Sequence, residues 1–359
     1  MRPAHAADVA DVADHIHLRQ QSYPLLSSLV ALEAIRSLYA ELALYPKPGL
    51  VSLVDNGSHD DMDATTFMRS IASLRSYFRQ ITQAGAGDAD FPALAALGIA
   101  AERHMLTATG GVNTHRGAIF CLGLLCAAGG RAFANAYSKD AAGAPGDAKS
   151  NDDANNNDDV GRAPGSADKR NAASTAFTVG CSADMIRSTL LKCWGTELAG
   201  HCAQRLTAAH GTGAARVHGI GGARAEAAAG LPSIFEIALP AMQRTLAAGR
   251  DWQCARTDAF FALLAAVDDT NVYHRGGACG AALVRYQARQ FIDNGGTANR
   301  HWRRDATGVH RLFVDRRLSP GGAADLLAGT CLVIQLTRND GVNPAWRIRK
   351  TGAVTVPSS

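Results

Sequence analysis

The stretch LLSSLVALEAIRSLYAEL, Leu25 to Leu42, decides how the chain is read. Leu25, Leu29, Leu32, Ile35 and Leu42 recur at the spacing of one helical face, with Glu33, Arg36 and Glu41 between them. The period predicts an amphipathic helix that stops before Pro46 and Pro48. The same signature returns along the chain. Asp63 or a neighbour caps a second helix carrying Phe67, Ile71, Leu74 and Phe78. A third is expected over about Pro92 to Leu106 and a fourth over about His115 to Ala128. Further on, a long helical pattern fills Ala176 to Ala209, and others begin near Ala223 and Pro232. Thr257 to Val267, Gly277 to Ile292 and Pro320 to Leu336 are the last clear helices. Strand-like alternation is confined to Leu312 to Val314 and the tail near Val354. The expected fold is all-α, a single large multi-helix domain over residues 22–338. A polar extension, 1–21, precedes it and a tail, 339–359, follows.

Composition agrees with that architecture. Hydrophobic residues make up 47% of the 359, enough for a large core, whereas aromatics reach only 6%. Small side chains favour close helix–helix packing over a sheet sandwich. Ser138 to Thr175 breaks the pattern, with Val160 as its one large apolar residue, and reads as a disordered insertion. The eight cysteines form no C-x-x-C pair, so reduced buried thiols are expected rather than a zinc site. Met1 to Gln21 lacks an apolar signal region, and no uncharged apolar run has the length to cross a bilayer. A cytoplasmic enzyme without a membrane partner is expected. The net charge of +4 suits a phosphorylated substrate but falls short of a nucleic-acid footprint, so no nucleic-acid partner is expected. An apolar helical surface of this kind is compatible with a homodimer.

The polar residues concentrate where glycines lead into helices. Lys47-Pro48-Gly49 runs on to Asn56-Gly57-Ser58-His59-Asp60-Asp61-Met62-Asp63. Gly110-Gly111-Val112-Asn113-Thr114-His115-Arg116 precedes the fourth helix. Gly219 to Ala227 carries Arg224 and Glu226, and Ser319-Pro320-Gly321-Gly322 leads to Asp325. Asp268-Asp269-Thr270-Asn271, then Arg275-Gly276-Gly277, mark a further helix end. Helix N-termini offer unpaired N–H groups, and glycines let the backbone approach an anion. Lys47, Arg116, Arg224 and Arg275 are candidate phosphate ligands, with Gly110, Gly111, Asn113, His115, Gly321 and Gly322 around them. Asp60, Asp63, Asp268 and Asp269 are candidate ligands for Mg²⁺, a hard cation that bridges phosphates.

Each junction taken singly has an ordinary explanation. Gly-Gly is commonly a tight turn, and Ser319-Pro320 resembles an N-cap with proline at the first helical position. Asp60, Asp61 and Asp63 would favour a helix dipole, and Arg224 with Glu226 a surface pair. Recurrence at five junctions is what argues for a ligand. P-loop, Rossmann and G-x-S-x-G signatures are all absent. The residues alone therefore lead to a helical protein that binds phosphate and Mg²⁺.

Six stretches sharpen this: PKPGLV (Pro46 to Val51), NGSHDDMD (Asn56 to Asp63), TGGVNTHRGAIF (Thr109 to Phe120), GARAEAAAGLPS (Gly222 to Ser233), DDTNVYHRGG (Asp268 to Gly277) and LSPGGAADLLA (Leu318 to Ala328). In this order the chain resembles the triphosphoribosyl-dephospho-coenzyme A synthases. The resemblance implies ATP and 3′-dephospho-coenzyme A as substrates. The ribose 2′-hydroxyl of the latter would attack the anomeric carbon of ATP and release adenine. The product would be the prosthetic-group precursor for the acyl-carrier subunit of malonate decarboxylase or citrate lyase, and the form of DDTNVYHRGG and GGAADLLA favours the former. On that reading Glu226, Asp325 and Asp269 are the candidate catalytic carboxylates and Mg²⁺ enters as Mg-ATP. Thr212 departs from the acidic residue expected at that position. A Mg²⁺-dependent N-glycosidic hydrolase of ADP-ribosyl type, or a non-enzymatic helical adaptor, are the rival readings.

Overall fold

A computed structural model describes residues 6–142, 177–178, 181–207, 222–338 and 347–348, with side chains over 24–136, 181–200 and 222–338. Twelve α-helices are numbered here among the described residues. They are α1 (Ala6–Leu42), α2 (Ala64–Ser73), α3 (Arg75–Ala86), α4 (Phe91–Ala108), α5 (Arg116–Ala142), α6 (Ala183–Thr207) and α7 (Gly222–Ala228). After a π-helical turn, Ser233–Ala238, come α8 (Leu239–Ala247), α9 (Trp252–Ala266), α10 (Thr270–Asp293), α11 (Trp302–Asp315) and α12 (Gly321–Thr337). The all-α expectation holds, and the described strand content is one two-residue antiparallel pairing of Phe177–Thr178 (β1) with Arg347–Ile348 (β2).

Helix α1 starts at Ala6, so the polar stretch up to Gln21 and the amphipathic segment after it form one helix. Its deepest face is Leu26, Val30, Ala34, Leu38 and Leu42, while Leu25, Leu29, Leu32 and Ile35 are half-buried. The reason is that α1 is covered from two sides, by α3 and by α12, which widens its buried arc beyond one stripe. Glu33 and Glu41 are consequently buried too, each against a cation, Arg36 and Lys47.

Helix α5 is the axis of the core, packed on α3, α12 and α6. Small residues set the spacing. A Cβ on Gly85 of α3 would overlap the Ala127 backbone of α5, and one on Gly130 would overlap the Thr82 carbonyl. The helices therefore touch backbone to backbone, as the scarcity of aromatics suggests. The 21-residue stretch Arg116–Ala136, which carries Arg116 and Arg131 and so is not an uncharged run, is long and apolar enough by composition to cross a membrane. Of its most apolar window, 89% is buried within the protein, the environment of a core helix.

Several boundaries differ from the sequence reading; α6 starts at Ala183 rather than Ala176, with Phe177–Thr178 in the strand pairing, and α9 starts at Trp252 rather than Thr257. The second expected helix is two, α2 and α3, divided at Leu74, whose N–H bonds the Ile71 carbonyl. Helix α5 runs to Ala142, into the start of the segment read as disordered; the rest of that segment lies outside the described residues, as does Val354. Leu312 to Val314, read as strand-like, belong to α11. There Trp302, Ala306, Val309, His310 and Phe313 supply a helical stripe in which β-branched residues are too few to favour a strand. Helix α10 starts before Gly277, which interrupts it with φ of 60° and marks a kink.

Candidate active site

The loop after α1 is fixed first. Lys47 is 1% exposed and its Nζ donates to the Glu41 carbonyl at 2.9 Å and to Glu41 Oε1 at 2.5 Å. Burial pulls both groups toward neutrality, raising Glu41 and lowering Lys47, against their mutual attraction. Gly49, with φ of 72°, lies so close to the Leu318 carbonyl that a Cβ would overlap it. His310 of α11 meets the Lys47 carbonyl at 2.9 Å through Nδ1 and Asp55 Oδ2 at 3.1 Å through Nε2.

From this anchor the junctions converge. Ser58 Oγ donates to the Leu318 carbonyl at 2.7 Å, and His59 Nε2 lies 2.7 Å from Ser319 Oγ. Arg275 donates to the Ser58 carbonyl at 3.1 Å and lies 3.3 Å from His59 Nδ1. Burial, then the Arg275 charge, lowers the His59 pKa. The first, fourth and fifth junctions thus form one wall. Ser319 does not cap α12 as the sequence suggests; its hydroxyl is turned to His59.

The cap comes from elsewhere. Asp269 accepts from Asn271 N at 2.8 Å through Oδ1, capping α10, and from Ala323 N at 2.9 Å through Oδ2, in the first turn of α12. One buried carboxylate therefore holds two helix N-termini together, with burial raising its pKa despite the amides that favour its charge. Gly321 and Gly322 make this approach possible. Cβ atoms there would meet Asn271 Nδ2 at 2.8 Å and Asp269 Oδ2 at 3.0 Å.

Asp325, one turn into α12, reaches the N-terminus of α5. It accepts a backbone hydrogen bond from Ala118, and a Cβ on Gly117 would overlap its Oδ2. Burial first, then the carboxylates of Glu41 and Asp269, raises its pKa well above the usual range. The second junction is joined in this way to the fourth. Glu226 accepts from Ser233 N at 2.6 Å, tying α7 to the π-helical turn. Buried Cys121 feels the charge of both Asp325 and Glu226, which with burial raises its pKa. A Cβ on Gly222 would meet Thr270 of α10 at 3.4 Å, which brings the third junction to the same region.

His115 precedes α5 and its carbonyl accepts from Ile119 N at 2.8 Å. The side chain is 3% exposed and Nδ1 lies 2.6 Å from Ser70 Oγ. Asn113 Oδ1 accepts from Arg116 N at 3.2 Å, a capping role. Gly110 and Gly111 have positive φ with open space where a Cβ would be, so they shape the turn rather than permit a contact. Arg116 is exposed and paired with Glu102, and Arg224 is exposed.

The four aspartates assigned to Mg²⁺ are not gathered into one ligand set. Asp60 is 82% exposed and pairs with Arg317 at 3.0 Å, and Asp268 is 51% exposed and pairs with Arg285. Asp63 caps α2 through Thr66 N at 2.8 Å, and both Asp269 oxygens serve backbone amides. Among the described residues no three His, Cys, Asp or Glu side chains are grouped to hold a metal. Short capping carboxylates before helices look like metal ligands in a sequence because both uses favour Asp in Gly-rich loops. Glu41, Ser70, Asn271, Ser319 and His310 carry the site without having been singled out. Only Ser319 and Asn271 lay within conspicuous motifs. The segment with Thr212 and Gly219 lies outside the described residues.

Comparisons with known proteins identify the family. The profile of CitG, ATP:dephospho-CoA triphosphoribosyl transferase, matches residues 27–344. A probable 2-(5''-triphosphoribosyl)-3'-dephosphocoenzyme-A synthase of Acinetobacter calcoaceticus is 33% identical over 323 residues, 90% of this chain and 95% of its own. The synthase of that name from Pectobacterium atrosepticum is 35% identical over 303 residues, 83% of this chain and 85% of its own. A probable synthase of Pectobacterium carotovorum is 36% identical over 305 residues, with the same coverage of 83% and 85%. No solved structure matches the chain.

Proposed function

The chain belongs to the ATP:dephospho-CoA triphosphoribosyl transferase family, and from that premise we propose that it transfers the 5-triphosphoribosyl group of ATP to the 2′-hydroxyl of 3′-dephospho-coenzyme A. It is a transferase, a triphosphoribosyl-dephospho-coenzyme A synthase. The observation that supports a sugar-centred reaction is Asp325. A half-buried carboxyl at the meeting of two helix ends, with its proton affinity raised by desolvation, is suited to take a hydroxyl proton. As the C1′–N9 bond breaks, positive charge grows on the ribose, and a carboxylate beside it stabilises that charge. Glu226, whose charge also reaches Cys121, is the alternative base.

The triphosphate itself is held, not cleaved. Arg116, Arg224 and Arg275 are its candidate partners, whereas Lys47 acts through the buried Glu41 pair. Mg²⁺ belongs to the substrate as Mg-ATP. One or two carboxylates with phosphate oxygens and water suffice for that ion, and exposed Asp60 and Asp268 suit it better than the fully engaged Asp269. A cytoplasmic place follows from the substrates. The product serves malonate decarboxylase on our reading, for which the wording of DDTNVYHRGG and GGAADLLA is the support.

The test mixes the protein with Mg-ATP, with and without 3′-dephospho-coenzyme A, and follows adenine by chromatography. Release that needs both substrates is expected. Release from ATP alone favours the N-glycosidic hydrolase, and none overturns both. Deletion of the gene in its host should abolish growth on malonate while sparing citrate; the reverse assigns citrate lyase.

A further inference from the structure

His115 has a donor with nowhere to go. Its Nε2 is fully buried with no partner among the described residues, and the same holds for Oγ1 of its neighbour Thr114. Buried polar atoms are rarely left unsatisfied, so two in adjacent residues at one helix end call for an occupant. That helix end is where Asp325 takes the Ala118 amide, three residues along the chain.

The tautomer can be worked out. The imidazole is neutral at working pH, because burial and then the Lys47 charge push its pKa down to about 3. A neutral imidazole has one N–H. Ser70 is completely buried in α2, and its hydroxyl lies 2.6 Å from His115 Nδ1. That hydroxyl must donate somewhere, and Nδ1 is the acceptor in reach. The imidazole proton then sits on Nε2, the atom left without a partner among the described residues. Phe67 presses edge-on against the ring, with centroids 4.9 Å apart, and fixes its plane.

The partner is defined by charge. A phosphoryl oxygen would draw a cation, and the exposed arginines at the rim provide those. A neutral N–H in a dry, partly aromatic setting matches a neutral ring nitrogen. We propose that Ser70 holds His115 as the Nε2–H tautomer and that this N–H binds a ring nitrogen of the departing adenine. The assignment rests on the transfer reaction described above and deepens it.

The balance is simple. The C1′–N9 bond breaks, its electron pair goes to the purine, and the hydrogen bond from Nε2 stabilises the charge that builds there. His115 keeps its proton. The carboxylate base takes the 2′-hydroxyl proton, the C1′–O bond forms, and adenine acquires a proton from solvent. His115 is thus a catalytic residue in contact with substrate, and Ser70 a positioning residue behind it.

The experiment crosses enzyme variants with ATP analogues. ATP, 3-deaza-ATP and 7-deaza-ATP are each given to the wild type, His115→Ala, His115→Gln and Ser70→Ala, with dephospho-coenzyme A present. Release of the base is timed. The wild type should lose about 10²–10³-fold in kcat with whichever analogue lacks the bonded nitrogen. His115→Ala should lose a similar factor with ATP but show little further loss with that analogue. Ser70→Ala should lower kcat about tenfold, leave KM near its value, and shrink the same discrimination. His115→Gln, which restores an amide donor, should recover part of the rate.

Because each comparison is a ratio within one folded variant, a partly unfolded sample does not mimic the result. Equal analogue discrimination in wild type and His115→Ala overturns the proposal. So does a His115→Ala defect that appears only as a raised KM for ATP, which would place the imidazole on phosphate. A wild type that releases no base from ATP overturns the transfer reaction itself, and this assignment with it.

Discussion

Removing the Asp269 side chain tests whether it is a structural bridge or a metal ligand. In Asp269→Ala, α10 loses the cap that Oδ1 provides to Asn271 N, typically about 1 kcal/mol. The amide of Ala323, which Oδ2 accepts at 2.9 Å, is left buried and unsatisfied, which costs about 1–3 kcal/mol more. Some of this is returned, because the buried charge is itself disfavoured, as its raised pKa records. The expected net loss is about 2–3 kcal/mol. Asp269→Asn keeps the cap but turns an amide N–H₂ toward the Ala323 N–H, for an intermediate loss of about 1–2 kcal/mol. Asp268→Asn is the control. Its carboxylate is half-exposed and paired with Arg285, so a change within about 0.5 kcal/mol is expected. Urea unfolding followed by far-UV circular dichroism measures all three. Equal losses at positions 268 and 269 would refute the bridge. So would stabilisation of the wild type, but not of Asp269→Ala, by Mg²⁺ without nucleotide.

Three further outcomes are expected. Asp325→Asn should slow adenine release by about 10²–10⁴-fold in the synthase assay. It should not destabilise the fold, and its advantage over the wild type should grow with pH. The folded pKa of Asp325 is raised, so its favourable contribution is complete below the unfolded value and is lost as pH rises through the folded one. Thermal melts across pH check this. Lys47→Met leaves Glu41 buried without its cation and should lower stability by about 3–5 kcal/mol, with much of it restored by Glu41→Gln in the same chain; denaturant unfolding of the single and double variants reads the difference. Gly85→Ala should lose about 1–3 kcal/mol through overlap with Ala127, whereas Gly200→Ala, on an open face of α6, should be neutral or gain up to about 1 kcal/mol in melting experiments.

Most helices could be read from period and caps, because Leu29, Ile71, Leu190 and Leu327 lie in strong local patterns. Helix α11 could not, since its stripe is interrupted by Arg303, Arg304, Arg311 and Thr307 and its tertiary contacts complete it. The site was legible as a set of junctions, and their meeting is now explicit in contacts such as Ser58 with Leu318 and Asp269 with Ala323. What the chain order hid was the division of labour. Asp63 and Asp269 have the look of metal ligands, and only the direction of their oxygens reveals caps. Lys47 has the look of a phosphate ligand until Glu41, six residues earlier and in the preceding helix, is found against it. Ser70 carried no signal at all, for a serine within a helix is ordinary until its hydroxyl faces an imidazole 45 residues away.

The contact of Ser58 with Leu318 spans 260 positions of the chain, and Gly49 with His310 spans 261. The wall they form is closed by α12, which is the last helix among the described residues to be synthesised. Pairings this remote in sequence are slow to form and arrive late. A nascent chain stopped before Ser319 would hold α1 to α11 yet lack the carboxylate of Asp325 and the amide that Asp269 needs. On the proposed mechanism, catalytic competence therefore waits for α12, and a fragment released before it would be inert toward ATP rather than a leaky hydrolase of it.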